Sequence, residues 1–258
     1  SVGNIGFENF ILYALNYDEK DKDRLIYQAS QHGISMSKKY ICMMFAQTKD
    51  AAVNARDERK NFVRAFQDSS VSKFGRFAFL DENNGMILWD TQEKDMCSLK
   101  YLENVLEEFR LKVREKCSNM ELEFAICRDS VDLLSLKKSV QKCQKVMTMG
   151  RKLFAEKQIW DYEMLGPYAW IDIEEEELEE MLSQYRILME DEKNRELLKT
   201  LKIYLENNMN FSITAEKMYV HINTIRKRIA KIKELLDVEL EDRISRLKIE
   251  MLLQFLSL

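Results

Sequence analysis

HINTIRKRIAKIKELL, residues 221 to 236, is the stretch on which the reading of this chain turns. Arg226, Lys227, Arg228, Lys231 and Lys233 fall within thirteen acid-free residues, in a chain of net charge −4. At 100° per residue, Ile222, Ile225, Ile229, Ile232 and Leu236 gather on one side of a helix. Asn223, Thr224, Lys227, Arg228 and Lys231 gather on the other. One face is suited to burial and the other to anions. Taken alone, such a helix also reads as a solvated basic face, a membrane-surface helix or a calmodulin-target helix. Its neighbours decide between these.

Upstream, residues 192 to 207 carry Leu197, Leu198, Leu201 and Leu205 at helical spacing, and the following Asn-Asn-Met-Asn offers asparagines that accept a left-handed turn. Ser212 is expected to cap a short helix bearing Ala215 and Met218, with the small Ala215 where the short helices cross. Val220-His221 then lead straight into the basic helix, which His221 is expected to cap unless it touches a phosphate. A support helix, a short helix, a tight turn and a cationic helix form the helix-turn-helix arrangement, whose last member enters the major groove of duplex DNA. Asn223 and Thr224 suit base edges, whereas Lys227, Arg228 and Lys231 suit phosphates. Arg226 lies off the centre of the polar face and suits a phosphate or an intramolecular acid. Ser212 and His221 complete the expected DNA-binding set.

Beyond this unit, Ile244, Leu247, Met251, Phe255 and Leu258 extend an apolar stripe to the last residue. Three short helices do not need it for a core, so it predicts a homodimer, with folding back onto its own domain as the alternative.

The whole chain has 258 residues, of which 46% are hydrophobic and 33% charged. Seven Gly and one Pro leave its elements rarely interrupted, so it reads as mostly helical. Residues 191 to 258 hold 13 Lys/Arg against 11 Asp/Glu, and the rest hold 27 against 33. Positive charge is therefore partitioned to the end. No apolar run reaches the roughly 20 residues that span a bilayer, and the N-terminus lacks a basic region followed by an apolar one. A cytoplasmic protein with no membrane partner is expected. The chain opens on Ser-Val rather than Met, as expected of a processed or recombinant piece of a longer protein. Cys42, Cys97, Cys117, Cys127 and Cys143 read as reduced thiols. With His32 and His221 the only histidines, neither a Cys/His metal site nor a histidine-dependent triad is supported. No cofactor is expected.

The first 33 residues read as two helices, carrying Phe7, Phe10, Ile11 and Ala14, then Leu25, Ile26 and Ala29. KYICMMFA, 39 to 46, is a continuous apolar run of strand length, as in a strand covered on both faces. Val53, Ala55, Phe62, Val63 and Phe66 mark a helix. KFGRFAFLDENNGMILWD, 73 to 90, predicts a hairpin around Asp81-Glu82-Asn83-Asn84-Gly85. Leu99 to Val113 predict a helix, ELEFAI (121 to 126) a strand, Leu133 to Met147 a helix, and QIWDY (158 to 162) a closing strand. Met43, Met44, Met147 and Met149 read as core filler. The order gives a layered α/β domain with a mixed sheet. Gly166-Pro167 closes it, and EEEELEE (174 to 180) opens a solvated helix start.

LLKTLKIYLENNMNFSITAEKMYVHINTIRKRIAKIKELLDVELED resembles the C-terminal helix-turn-helix of PucR/CdaR-type bacterial transcription regulators, including their Val-His-x-Asn-Thr-x-Arg core at Val220, His221, Asn223, Thr224 and Arg226. Ile222 stands where the family usually has Arg, and Lys227 where it commonly has Tyr. ICRDSVDLLSLKKSVQKCQKVMTMG and IWDYEMLGPY are similar to the family's GGDEF-like middle domain. The resemblance implies a transcriptional regulator controlled by a small-molecule effector or by a separate N-terminal sensor domain. Active GGDEF domains cyclise GTP with a Gly-Gly hairpin and metal-binding carboxylates. Asp81 and Glu82 here lack the Gly-Gly and read as turn residues.

The fold class expected is thus α+β: a degenerate GGDEF-like mixed sandwich followed by an all-α helix-turn-helix domain. Residues 1–36 should supply helices packing on the middle domain, 37–165 the α/β domain, 166–190 a helical linker, and 191–258 the DNA-binding domain. The alternative function is a nucleotide-binding or catalytic GGDEF-type module, for which no Gly-rich phosphate loop or paired metal-binding carboxylates are found.

Overall fold

The computed structural model describes residues 2–49, 55–117, 120–190 and 192–256; Val53 and Leu258 lie outside them, as does the side chain of Ala55. The chain divides into two compact units, Ser1–Ile171 and Asp172–Leu258.

In the first unit, helices α1 (Val2–Asn16) and α2 (Lys22–Gln31) precede strand β1 (Tyr40–Lys49). Then come α3 (Ala55–Gln67), β2 (Gly75–Phe79), β3 (Asn84–Asp90), α4 (Leu99–Lys116), β4 (Met120–Val131), α5 (Leu136–Leu153) and β5 (Ile159–Asp161). This is the strand, helix, hairpin, helix, strand, helix, strand order read from the periodicities. The five strands form one sheet in the order β2-β3-β1-β4-β5. β4 and β5 run parallel and the other pairs antiparallel, so the sheet is mixed.

β1 is apolar throughout because it lies in the middle of a sheet covered on both sides. Ile41, Met43 and Phe45 point into a core with Phe62 and Phe66 of α3 and Leu102, Leu106 and Phe109 of α4. Cys42, Met44 and Ala46 point the other way, toward α1, α2 and α5 through Phe7, Phe10, Ile11, Leu25, Val140, Cys143 and Met147. The five cysteines are free thiols, and only Cys97 is not buried.

Two glycines are required by close approach. Gly85 lies opposite Phe45 in the ladder, and a Cβ there would sit 2.1 Å from the Phe45 ring. Gly150 lies under the Trp160 indole, which a Cβ would meet at 2.4 Å. In the hairpin turn, one carboxylate oxygen of Asp81 accepts from the backbone N–H groups of Asn83 and Asn84, both at 2.8 Å. Burial raises the affinity of that carboxyl for its proton, but these bonds and those from the Asn84 side chain outweigh it and hold Asp81 below its ordinary range.

The second unit is helical: α6 (Glu175–Ser183), α7 (Glu192–Glu206), α8 (Phe211–Met218), α9 (Ile222–Leu236) and α10 (Arg243–Leu253). Leu178, Leu182, Tyr185 and Leu188 are buried in one cluster with Leu198, Leu201, Ile225, Ile229, Ile232, Ile249 and Leu252. Of the stretch 166–190 expected as a helical linker, Leu178, Leu182, Tyr185 and Leu188 pack into this core. Its apolar residues are spaced to fill it, which an acidic helix start obscures in the sequence.

Candidate nucleic-acid interface

The unit Asp172–Leu258 contains no glycine, so its tight turns place ordinary residues in the left-handed region. Asn208 (φ 53°), Met209 (φ 59°), Tyr219 (φ 56°) and Asp237 (φ 50°) do this. Asn and Asp tolerate that conformation, whereas it costs a residue such as Tyr or Met roughly 1–2 kcal/mol. Asn208 and Met209 end α7, with the Met209 N–H donating to the Tyr204 carbonyl at 2.8 Å.

Asn210, not Ser212, caps α8. Its side-chain oxygen accepts from the N–H groups of Ser212 and Ile213, both at 3.0 Å. The helix starts at Phe211, two residues earlier than a Ser212 cap requires, because Asn210 presents the same acceptor from an extended backbone. Ser212 is left exposed on the first turn. At the other end of α8, the Val220 N–H donates to the Ala215 carbonyl at 3.1 Å across the left-handed Tyr219. Ala215 is buried there.

His221 caps α9, its Nδ1 accepting from the Asn223 N–H at 3.2 Å. From that cap the helix turns Ile225, Ile229, Ile232 and Leu236 into the core. The residues expected on the opposite face fare differently. Asn223, Lys227 and Lys231 are exposed and Thr224 is half-buried. Neither Lys227 nor Lys231 has a side-chain partner among the described residues. Arg226 donates to Asn223 Oδ1 at 3.4 Å, with its guanidinium 5.8 Å from the Phe211 ring centroid.

Arg228 departs from the expectation of a phosphate-facing cation. It reaches back to α7, donating to Glu196 at 3.2 Å and to Thr200 Oγ1 at 3.1 Å. Lys233 is similarly engaged, by Glu241 at 2.6 Å and Glu239 at 3.2 Å. Its hydrogen bond to Glu241 raises its pKa above the ordinary lysine value. The basic run thus resolves into two open lysines, one arginine on the rim and two cations neutralised within the unit.

One bulky side chain stands wholly outside the core. Tyr219, in the turn between α8 and α9, is 96% exposed. The signal available was a bulky aromatic where a turn favours Gly or Asn, two residues before the capping histidine.

Residues 197–255 match the family described as the PucR C-terminal helix-turn-helix domain. Residues 197–255 form a PucR-type helix-turn-helix domain. Such a domain is the DNA-binding module of a transcriptional regulator, and α8 and α9 are its paired helices. Among curated relatives from Bacillus subtilis (strain 168), the uncharacterized protein YxkF is 33% identical over 99 residues, covering 38% of this chain and 33% of its own. The proline-responsive transcriptional activator PutR is 32% identical over 116 residues, covering 43% and 28%. The purine catabolism regulatory protein is 22% identical over 251 residues, covering 92% and 45%. The chain spans less than half the length of each of these relatives. Among the described residues no helix is long and apolar enough to cross a membrane.

Proposed function

We propose that this chain regulates transcription by sequence-specific binding of duplex DNA, with α9 in the major groove. The observation that carries the reading is the outer face of α9: Asn223, Lys227 and Lys231 stand exposed beside Thr224 at the capped end of a helix whose other face is core. Asn223 and Thr224 read base edges; Lys227 and Lys231 meet phosphates; Arg226 serves a phosphate from the rim; His221 holds the helix start. Ser212 and Arg228 have smaller parts, the first on the exposed turn of α8 and the second as a brace between α7 and α9.

The active species is a homodimer. One recognition helix reads few base pairs, and two residues of the α10 apolar stripe stay outside its own core, Ile244 72% and Leu247 50% exposed, while Phe255 packs against that core. A two-fold dimer predicts half-sites about one helical turn apart, ~34 Å.

The sheet domain is GGDEF-like but without catalysis. Supporting this, the Asp81 carboxylate is occupied by its own turn, and the space over Gly85 is filled by Phe45. The proline response in the name of PutR supports control by a small-molecule effector, and the protein acts in the cytoplasm, where its DNA is. The test is Asn223→Ala, measured on a selected operator and on random duplex. Loss of that base contact should cost about 1–3 kcal/mol on the operator and almost nothing on random DNA. Equal affinity of variant and wild type on both would overturn the reading.

A further inference from the structure

We infer that Tyr219 is a second, non-helical DNA contact, its hydroxyl donating to a phosphate oxygen at the groove edge. The inference rests on α9 being the groove helix. Tyr219 is left-handed, at φ 56° and ψ 41°, in the turn that joins the two helices. Its backbone needs nothing from the side chain: its own N–H donates to the Glu216 carbonyl and that of Val220 to the Ala215 carbonyl, each at 3.1 Å. Gly or Asn would fit this turn with less strain. The ring contributes no packing in return, being 96% exposed, and the hydroxyl has no partner among the described residues.

A strained backbone that keeps a large, unpacked side chain marks a position where the side chain acts outside the fold. The place fits that action. In a helix-turn-helix the first helix crosses the sugar-phosphate backbone while the start of the second enters the groove, so the turn between them meets the groove edge. A tyrosine hydroxyl there is one of the usual neutral donors to phosphate. Because such a contact ignores the bases, it strengthens binding to every sequence.

Two variants test this in the full chain, on operator and on random duplex. Tyr219→Phe removes only the hydroxyl and should weaken binding to both by a similar factor, about two- to tenfold. Tyr219→Asn keeps the left-handed turn, removes the ring as well, and should weaken both at least as much, with a melting temperature no lower than wild type. As Tyr219 is uncharged, the salt slope should stay unchanged. If Tyr219→Asn binds both duplexes like wild type while Asn223→Ala loses only the operator, the tyrosine contact is wrong and the groove helix stands. A Tyr219→Asn loss confined to the operator also overturns the phosphate contact. If Asn223→Ala has no effect either, the groove reading fails and this inference with it.

Discussion

Replacing Lys231 by alanine separates the cations that meet DNA from those that hold the fold. Five basic residues lie on α9, yet Arg228 is bound to Glu196 and Thr200 and Lys233 to Glu239 and Glu241. Only the open cations can release condensed counterions when DNA binds. Each phosphate neutralised contributes about 0.9 to the slope of log affinity against log salt. Lys231→Ala should therefore lower the slope by about 0.9 per subunit, or ~1.8 for a dimer with both helices engaged. Between ~50 and ~200 mM salt one such contact is a factor of about 3.5, and two a factor of about 12. The deficit of the variant should shrink by about that factor across the range, on random and specific duplex alike.

Arg228→Ala is the matched control. It should leave the slope unchanged and instead cost about 1 kcal/mol of stability, from hydrogen bonds to Glu196 and Thr200 that are only partly screened by solvent. In a unit of this size that is roughly 4–8 °C in melting temperature. Fluorescence anisotropy over a salt series and a thermal melt measure the two effects. A slope lowered as much by Arg228→Ala as by Lys231→Ala would refute the partition, because the brace to α7 would then open on DNA.

Ile244→Glu or Leu247→Glu should convert a dimer to a monomer in sedimentation at micromolar concentration without lowering the melting temperature; a wild-type chain that stays monomeric with and without DNA removes the dimer. Incubation with GTP and magnesium should yield no cyclic dinucleotide, and turnover abolished by changing Asp81 and Glu82 would contradict the inert reading of the sheet domain. Gly150→Ala should destabilise the first unit by about 1–3 kcal/mol. Trp160 cannot yield to the new Cβ, since its Nε1 donates to the Phe154 carbonyl at 3.1 Å; a melting temperature equal to wild type would show that the indole does give way.

The local elements were legible because they depend on neighbours in the chain. Period 3.6 along Ile225, Ile229, Ile232 and Leu236 sets which side of α9 is buried. The unbroken apolar run around Met43 marks a strand covered twice, and the Val220 to Arg226 pattern marks the helix-turn-helix. Even the His221 cap follows from its place before the helix. Which cations remain free did not follow, since Arg228 and Lys231 lie on the same polar arc and differ only in what stands beside them. Glu196 and Thr200 come from a helix some thirty residues earlier, and no local period records that approach. The same holds for Gly150, whose need appears only when Trp160 from the closing strand is laid over it. It holds too for Tyr219, whose strain and exposure exist only once α8 and α9 have packed. Backbone period and capping chemistry are short-range, so the sequence carries them; pairing of charges and close approach of rings are set by surfaces meeting, and only the tertiary structure decides them.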